Sequence, residues 1–370
     1  MTQAQAAGKL FIAGEYAVVE PARLAVLVAV DRYAQVQVTQ LQQGAHLGAQ
    51  ASVHAHHYAP HVPQWQLASE GLTSQTLNVA NDMVYAVASL VDQLLRERDL
   101  PRAVYQLEVR SNLASADGRK YGLGSSAAVS VACLRALSAA LQLALSEDEL
   151  LKLGLLASWM QNPKGSGGDV AASVLGGWLL YASPERAWVQ QRLQQQGLQA
   201  CLAAAWPGLQ ATRLTPPQSI ALLVGWTGSP ASTPALMAAP SAPVGRALLD
   251  ASDAAVRALV AAIARDEADA IMAALLLTRT AVQAIAAARG RILETPELRT
   301  LCALAHAHGA AAKTSGAGGG DCGIAMLPAG LSPDSLYAAW RAQGIEPLTL
   351  QVAQEGAVCV AAENTSESLK

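Results

Sequence analysis

Residues 120–131 read K-Y-G-L-G-S-S-A-A-V-S-V, and their types and spacing suit the binding of an anion. Gly122 and Gly124 let the backbone approach a ligand with no side chain in the way. Ser125 and Ser126 can cap the helix that follows, and their hydroxyls can also face an anion or a metal ion. The first N–H groups of that helix have no partner within it and carry the positive end of its dipole. Together these features make a phosphate site.

The run G-L-G-S-S-A at 122–127 also satisfies the dinucleotide pattern G-x-G-x-x-[GA]. That pattern needs a strand ending at its first glycine, and an acidic residue closing a second strand about 20 residues on. Here a polar loop separates Val109 from the glycines, and the next acids, Glu147 and Asp148, open another helix. The G-x-x-x-x-G-K-[ST] loop of other nucleotide-binding folds is absent.

The elements that must position this loop follow from periodicity. Residues 9–19 read as a strand, a Gly-Glu turn and a second apolar segment, and the β-branched run 26–38 as a strand. Residues 78–98 form an amphipathic helix with Val79, Met83, Val87, Leu90 and Leu94 on one face, followed by a strand at 104–109. Helices are expected at 125–143 and 147–160, the second opened by Ser146 and Glu149. A glycine-rich turn ending at Asp169 leads to a strand through Leu180, and the Gln-rich residues 185–210 read as helical. Beyond Pro216-Pro217 come a strand at 220–224, a Pro/Ala/Ser/Thr loop at 227–244, and helices at 246–265, 268–288 and 296–309. A second glycine-rich loop at 315–320 runs into a strand, and a helix at 334–343 with strands at 346–353 and 357–361 completes an α+β pattern. The expected domains are 1–212 and 213–364, with a frayed tail at 365–370. The length and composition of loop 227–244 suit a mobile cover.

Composition narrows the class. A chain of 370 residues has room for two cores, and 52% hydrophobic against 14% charged residues lets it fill them. A net charge of −3 without a long basic run argues against nucleic acid as the main partner. Cys133, Cys201, Cys302, Cys322 and Cys359 are widely spaced with no C-x-x-C, as expected of free thiols in a reducing cytoplasm. The N-terminus has no apolar signal core, and Arg135, Lys152 and Arg279 interrupt the apolar helices before the roughly 20 residues a membrane span needs. The histidines at 54, 56, 57 and 61 invite a metal reading, but with no Cys or acid nearby an exposed hairpin is the better one.

Three motifs in order resemble those of the GHMP kinase superfamily: Gly8-Lys9-Leu10 with Gly14-Glu15-Tyr16, the central G-L-G-S-S-A, and the C-terminal S-G-A-G-G-G-D. In detail, G-K-L-F-I-A-G-E-Y-A-V-V-E-P, R-K-Y-G-L-G-S-S, G-S-G-G-D-V-A, L-V-G-W-T and K-T-S-G-A-G-G-G-D-C-G-I-A are most similar to the bacterial-type phosphomevalonate kinase branch. The resemblance covers essentially the whole chain. It implies a ribosomal-protein-S5-like N-terminal domain and a ferredoxin-like C-terminal domain with the active site between them. It also implies transfer of the γ-phosphoryl group of ATP, with Mg²⁺, to (R)-5-phosphomevalonate.

Carried over by position, the resemblance makes Lys120, Gly122, Leu123, Gly124, Ser125, Ser126 and Ala127 the ATP phosphate site, with Ser126 as Mg²⁺ ligand. Lys9 would neutralise charge on the transferring group, and Asp169 would be the acid beside it. Tyr16, Ser166, Thr233 (or Ser232), Gly316, Ala317 and Gly318 would meet the acceptor, the last three within a loop at 315–319. Each residue also has a plainer reading: glycine-rich loops are often only turns, Lys9 can be a surface lysine, and Asp169 can cap a helix starting at Val170. Arg119, Lys120 and Lys164 are the cations a doubly charged acceptor would need, or solvated surface charges. Residues 154–168 contain no acid, unlike mevalonate kinase relatives that carry a glutamate there, so metal would rest on Ser126, phosphates and water. A phosphate acceptor has a second pKa of about 6 and is a competent nucleophile near neutrality, so Asp169 is expected to orient Lys9 or metal and not to abstract a proton. Mevalonate kinase or another GHMP small-molecule kinase, diphosphomevalonate decarboxylase and a non-catalytic ATP- or metabolite-binding relative are the alternatives, and the chain is expected to be a monomer or homodimer away from membranes.

Overall fold

The computed structural model describes residues 1–40, 49–52, 64–68, 71–74, 83–115, 117–228, 244–316 and 318–360. Among the described residues its first sheet has nine strands. Strands β1 (Thr2–Ala13) and β2 (Leu24–Gln40) pair antiparallel along nearly their full length, with register shifts at Ala7/Gly8 and Phe11/Ala13. The long β2 is shared along its other edge. Its first half pairs with β7 (Trp178–Ala182) and its second half with β6 (Tyr105–Ser111). Beyond β6 lie β3 (Ala49–Ser52), which pairs with it in parallel, then β4 (Gln64–Ala68) and β5 (Gly71–Ser74). Strand β8 (Gln210–Leu214) pairs with β7, and β13 (Val358–Val360) with β1.

Helix α2 (Ser125–Ala140) lies against β1 and β2. Residues Ala127 to Ser138 are nearly all buried, including Ala128, Ala132 and Ala136, so it is a helix apolar all round and enclosed by its neighbours. Those are α1 (Met83–Glu97), α3 (Glu147–Gln161) and α4 (Gly168–Leu175). The start of α3 is a capping box: Ser146 Oγ accepts from Glu149 N–H at 3.2 Å and Glu149 Oε2 accepts from Ser146 N–H at 2.9 Å, as the serine–glutamate spacing predicts. Helix α5 (Arg186–Ala203) is broken at Gly197, φ +81°. Helical structure resumes after the break and ends at Ala203, short of the expected 210, before β8.

The second sheet runs in the order β10 (Ala311–Thr314), β11 (Cys322–Pro328), β9 (Ile220–Trp226), β12 (Glu346–Leu348), all antiparallel. Helices α8 (Pro296–Ala307) and α9 (Asp334–Ala342) cover it through a core of Leu301, Leu336 and Trp340. Helices α6 (Arg246–Arg265) and α7 (Ala268–Ala288) form an antiparallel pair, with α6 against β2 and α7 against β10. The expected boundary at 212/213 falls inside β8, and the chain returns to the first sheet near its end. There Ala353 N–H donates to Ala29 O at 3.0 Å and Asp31 N–H to Gln351 O at 3.0 Å.

One expectation needs correcting. At 21 residues, α7 is long and apolar enough by length and composition to cross a membrane despite Arg279. Arg279 is paired with Glu294 at 2.7 Å, and α7 buries Ile271, Leu275, Val282 and Ile285 in the fold. The free thiols of Cys133, Cys201, Cys302 and Cys322 are buried and that of Cys359 is exposed.

Candidate active site

Lys9 leaves β1 on the face towards α2. Its backbone N–H donates to Leu123 O at 2.8 Å and its Nζ to Gly122 O at 3.2 Å. Gly8 makes this approach possible, since a β-carbon there would lie 2.9 Å from Leu123 O and 2.5 Å from a Leu113 methyl. The side chain is only 8% exposed and its ammonium sits 5.4 Å from the Phe11 ring centroid. Lys9 is thus no surface lysine.

Gly124 caps α2 in the left-handed region at φ +76°, with no side-chain hydrogen bond to the first turn. The serines therefore do not cap the helix as the sequence allows. Ser125 and Ser126 fall inside the first turn, whose N–H groups are left for a ligand. A β-carbon on Gly124 would meet Lys9 Cε at 3.0 Å and Asp169 Cβ at 3.6 Å. Lys9, the phosphate loop and Asp169 converge on one bare α-carbon.

Asp169 is in the first turn of α4, behind Gly167 at φ +78°. A β-carbon on Gly167 would fall 2.1 Å from a Leu155 methyl, so the turn is pressed onto α3. Asp169 Oδ1 accepts from the N–H of Val170 at 3.0 Å, and Ser166 Oγ accepts from Gly168 N–H at 3.3 Å. Tyr181 anchors the turn by donating its hydroxyl proton to Ser166 O at 2.8 Å. Burial pushes the Tyr181 phenol up, and the Asp169 charge adds to it, so it stays a neutral donor. Lys164 is exposed in the turn before Gly165.

The loop at 315–320 is tied to both other motifs. Ser315 Oγ accepts from Phe11 N–H at 2.9 Å, and Gly319 N–H donates to Leu293 O at 2.9 Å. Gly316 and Gly318 have φ of +88° and +69°. A β-carbon on Gly122 would lie 2.7 Å from the Asp321 side chain, and Cys322 Sγ donates to Tyr121 O at 3.0 Å. Ala317, Ser232, Thr233, most of loop 227–244 and the histidines at 54–61 lie outside the described residues.

The cations divide differently from expectation. Arg119 pairs with Asp117 at 2.7 Å, donates to Gly228 O at 2.8 Å and stacks 4.8 Å from the Trp226 ring, so it bridges the phosphate loop to β9. Lys120 is exposed, its backbone bridged to Ala114. Tyr16 lies close to Arg289 and Arg291, 5.8 and 5.9 Å from its ring centroid. Burial raises the Tyr16 phenol, while the adjacent Arg291 works against that rise. Sequence reasoning assigned no role to these arginines, to Asp321 or to Lys313. Lys313 had a signal: it is a lone charge in the apolar strand run A-A-A-K-T, where a buried counter-ion is required. That counter-ion is Glu15, in direct contact with its ammonium.

Among the described residues no group of three or more His, Cys, Asp or Glu comes together. Ser126, in the first turn of α2, and Asp169, whose Cβ approaches Gly124, are the residues whose oxygens could serve as donors there. They suit Mg²⁺, which takes one or two protein oxygens and completes its shell with phosphate and water.

Two α+β units with a glycine loop at a helix start, met by a lysine and an aspartate, suit phosphoryl transfer between small molecules. Residues 82–177 match the GHMP kinases N terminal domain and residues 259–346 the GHMP kinases C terminal. The chain belongs to the GHMP kinases and has their two-domain fold. It is 39% identical over 365 residues, 95% of this chain and 97% of the relative, to phosphomevalonate kinase from Streptomyces sp. (strain CL190). The Streptococcus pneumoniae phosphomevalonate kinase in complex with phosphomevalonate and AMPPNP superposes with a TM-score of 0.82 at 26% identity, covering 95% of this chain and 100% of that one. The Lin0012 protein from Listeria innocua superposes with a TM-score of 0.86 at 27% identity, covering 98% and 99%.

Proposed function

We propose that this chain is a phosphomevalonate kinase, transferring the γ-phosphoryl group of ATP to the phosphate of (R)-5-phosphomevalonate to give 5-diphosphomevalonate and ADP. The observation that carries the reading is the near-full-length match to the Streptomyces phosphomevalonate kinase, in a chain whose own Lys9 and Asp169 meet at Gly124.

In this reading the N–H groups of the first turn of α2 and the backbone from Lys120 to Ala127 hold the ATP phosphates. An oxygen of the acceptor phosphate attacks the γ-phosphorus, the bond from that phosphorus to the β–γ bridging oxygen breaks, and ADP leaves with the electron pair. The acceptor is mostly dianionic near neutrality, since its second pKa is about 6, so no base is required. Lys9 lies against the phosphate loop to offset charge gathering on the transferred group. Asp169 orients Lys9 and, with Ser126, would hold Mg²⁺, which when bound neutralises charge on the phosphate oxygens. Tyr16, Ser166, Thr233 and residues 316–318 are assigned to the acceptor. We also place the protein in the cytoplasm, as a monomer or homodimer.

The test is a coupled ADP-release assay with mevalonate, phosphomevalonate and diphosphomevalonate offered separately. Turnover with phosphomevalonate alone is expected. Turnover with mevalonate alone would sink the choice of acceptor, and ATP binding without turnover of any of the three would make the chain a binding relative.

A further inference from the structure

Glu15 and Lys313 form an ion pair between residues 298 apart, with Lys313 fully buried and Glu15 3% exposed. The chemistry above does not use it. Lys313 Nζ also donates to Thr314 O at 2.6 Å, and Glu15 Oε1 accepts from Gly316 N–H at 3.4 Å. Between these contacts Ser315 Oγ takes the Phe11 N–H at 2.9 Å. The loop at 315–320 is therefore held at its root by the strand carrying Lys9 and by the turn that ends it.

The turn is shaped to send Glu15 inward. Gly14 has φ +84°, where a β-carbon would fall 2.1 Å from Leu24 O, and Tyr16 follows at φ +64°. Two positive-φ residues bracket one carboxylate, and Tyr16, at φ +64° and ψ −43°, is a non-glycine residue held in a strained turn. Two buried oxygens beside the pair, Glu15 Oε2 and Thr314 Oγ1, have no hydrogen-bond partner among the described residues. A buried pair with unsatisfied oxygens on a strained turn is a poor route to stability, because well-packed apolar side chains do as well or better. What the pair does provide is a fixed register between two motifs.

We propose that Glu15 is a positioning residue for phosphoryl transfer. Through Lys313 and the Gly316 N–H it sets the loop at 315–320 relative to Lys9, so that the loop meets the transferring group in one orientation. The inference rests on the kinase reading, and Glu15 itself touches no substrate.

The test is the double variant Glu15→Gln/Lys313→Met, which removes both charges and leaves neither buried alone. The expected result is a thermal midpoint at or above that of the parent, a kcat at least about tenfold lower, and a KM for ATP changed by less than about threefold, because residues 122–127 are untouched. Amide hydrogen exchange in residues 311–316 should rise. A kcat within about threefold of the parent at a retained midpoint overturns the proposal. Should the parent turn over no phosphomevalonate, the substrate reading fails separately, and unchanged exchange in 311–316 then overturns the positioning role alone. Glu15→Asp guards against a double variant that does not fold. It keeps the charge but withdraws the carboxylate from Gly316, and must lower kcat more than it lowers the midpoint; an undiminished kcat overturns the proposal.

Discussion

Gly124 and Lys9 touch through a missing side chain: a β-carbon on Gly124 would lie 3.0 Å from Lys9 Cε and 3.1 Å from Lys9 Cγ. The lysine has nowhere to retreat, being buried with its Nζ on Gly122 O. Gly124→Ala adds to this clash a backbone at φ +76°, a conformation costing a non-glycine residue about 1–3 kcal/mol. We expect kcat to fall at least about tenfold while the protein stays folded, as read by ADP release and a thermal melt. Parent-like turnover would mean that Lys9 is not held against the loop in the working enzyme.

Asp169→Asn separates orientation from proton abstraction. The carboxylate is tied to Val170 N–H at 3.0 Å, and asparagine keeps that acceptor while losing the charge. If Asp169 only orients Lys9 or metal, the variant should lose about 10²-fold or more in kcat by a similar factor at each pH across the neutral range. Activity lost chiefly at high pH and recovered at low pH would point to a base and contradict the assignment.

Arg119 and Lys120 are neighbours with different surroundings, which makes them a matched pair of tests. Arg119 is spent on Asp117, Gly228 O and the Trp226 ring, whereas Lys120 is exposed beside the phosphate loop. Lys120→Ala should raise the KM for the acceptor more than that for ATP, by about tenfold, the scale of one charge-assisted hydrogen bond. Arg119→Ala should leave the acceptor KM within about twofold and lower the thermal midpoint, since its cation–π contact is worth about 1 kcal/mol. An unchanged acceptor KM in Lys120→Ala removes that residue from the site.

Much of this site was legible because its chemistry is written in short runs. The glycines at 122 and 124, the turn ending at Asp169, and the strand carrying Lys9 can each be found from local pattern, as can the Ser146–Glu149 cap. The unread part lies in pairs distant in sequence. Nothing local to Glu15 names Lys313, and nothing local to Tyr16 names Arg289 and Arg291, because those contacts exist only once β10 and the end of α7 are folded against the turn after β1. The serines at 125 and 126 show the opposite error: residue type allowed them to cap, but glycine at 124 took the capping position and left them inside the helix. The break in α5 was missed for a similar reason. Gly197 ends one helical run, and the carboxylate that starts the next comes from another helix.

That carboxylate is Glu97, and it yields a prediction in pH. Its Oε1 accepts from Leu198 N–H at 3.0 Å and from Gln93 Nε2 at 2.8 Å, and its Oε2 accepts from Gln199 N–H at 2.7 Å. Partial burial pushes its pKa up, but these hydrogen bonds and the Arg96 charge outweigh burial and leave it below the usual glutamate value. The folded protein thus holds this proton less tightly than the unfolded chain does, so the cap stabilises fully above the unfolded pKa of about 4.3. That contribution drains away as pH falls through the lower folded pKa. Glu97→Gln should therefore melt below the parent at neutral pH, by no more than about 1 kcal/mol for a solvent-screened cap. The difference should shrink towards zero in acid, as measured by paired thermal melts over a pH series. A difference that persists unchanged into acid would mean that hydrogen bonding alone, and not the charge, holds the start of that helix.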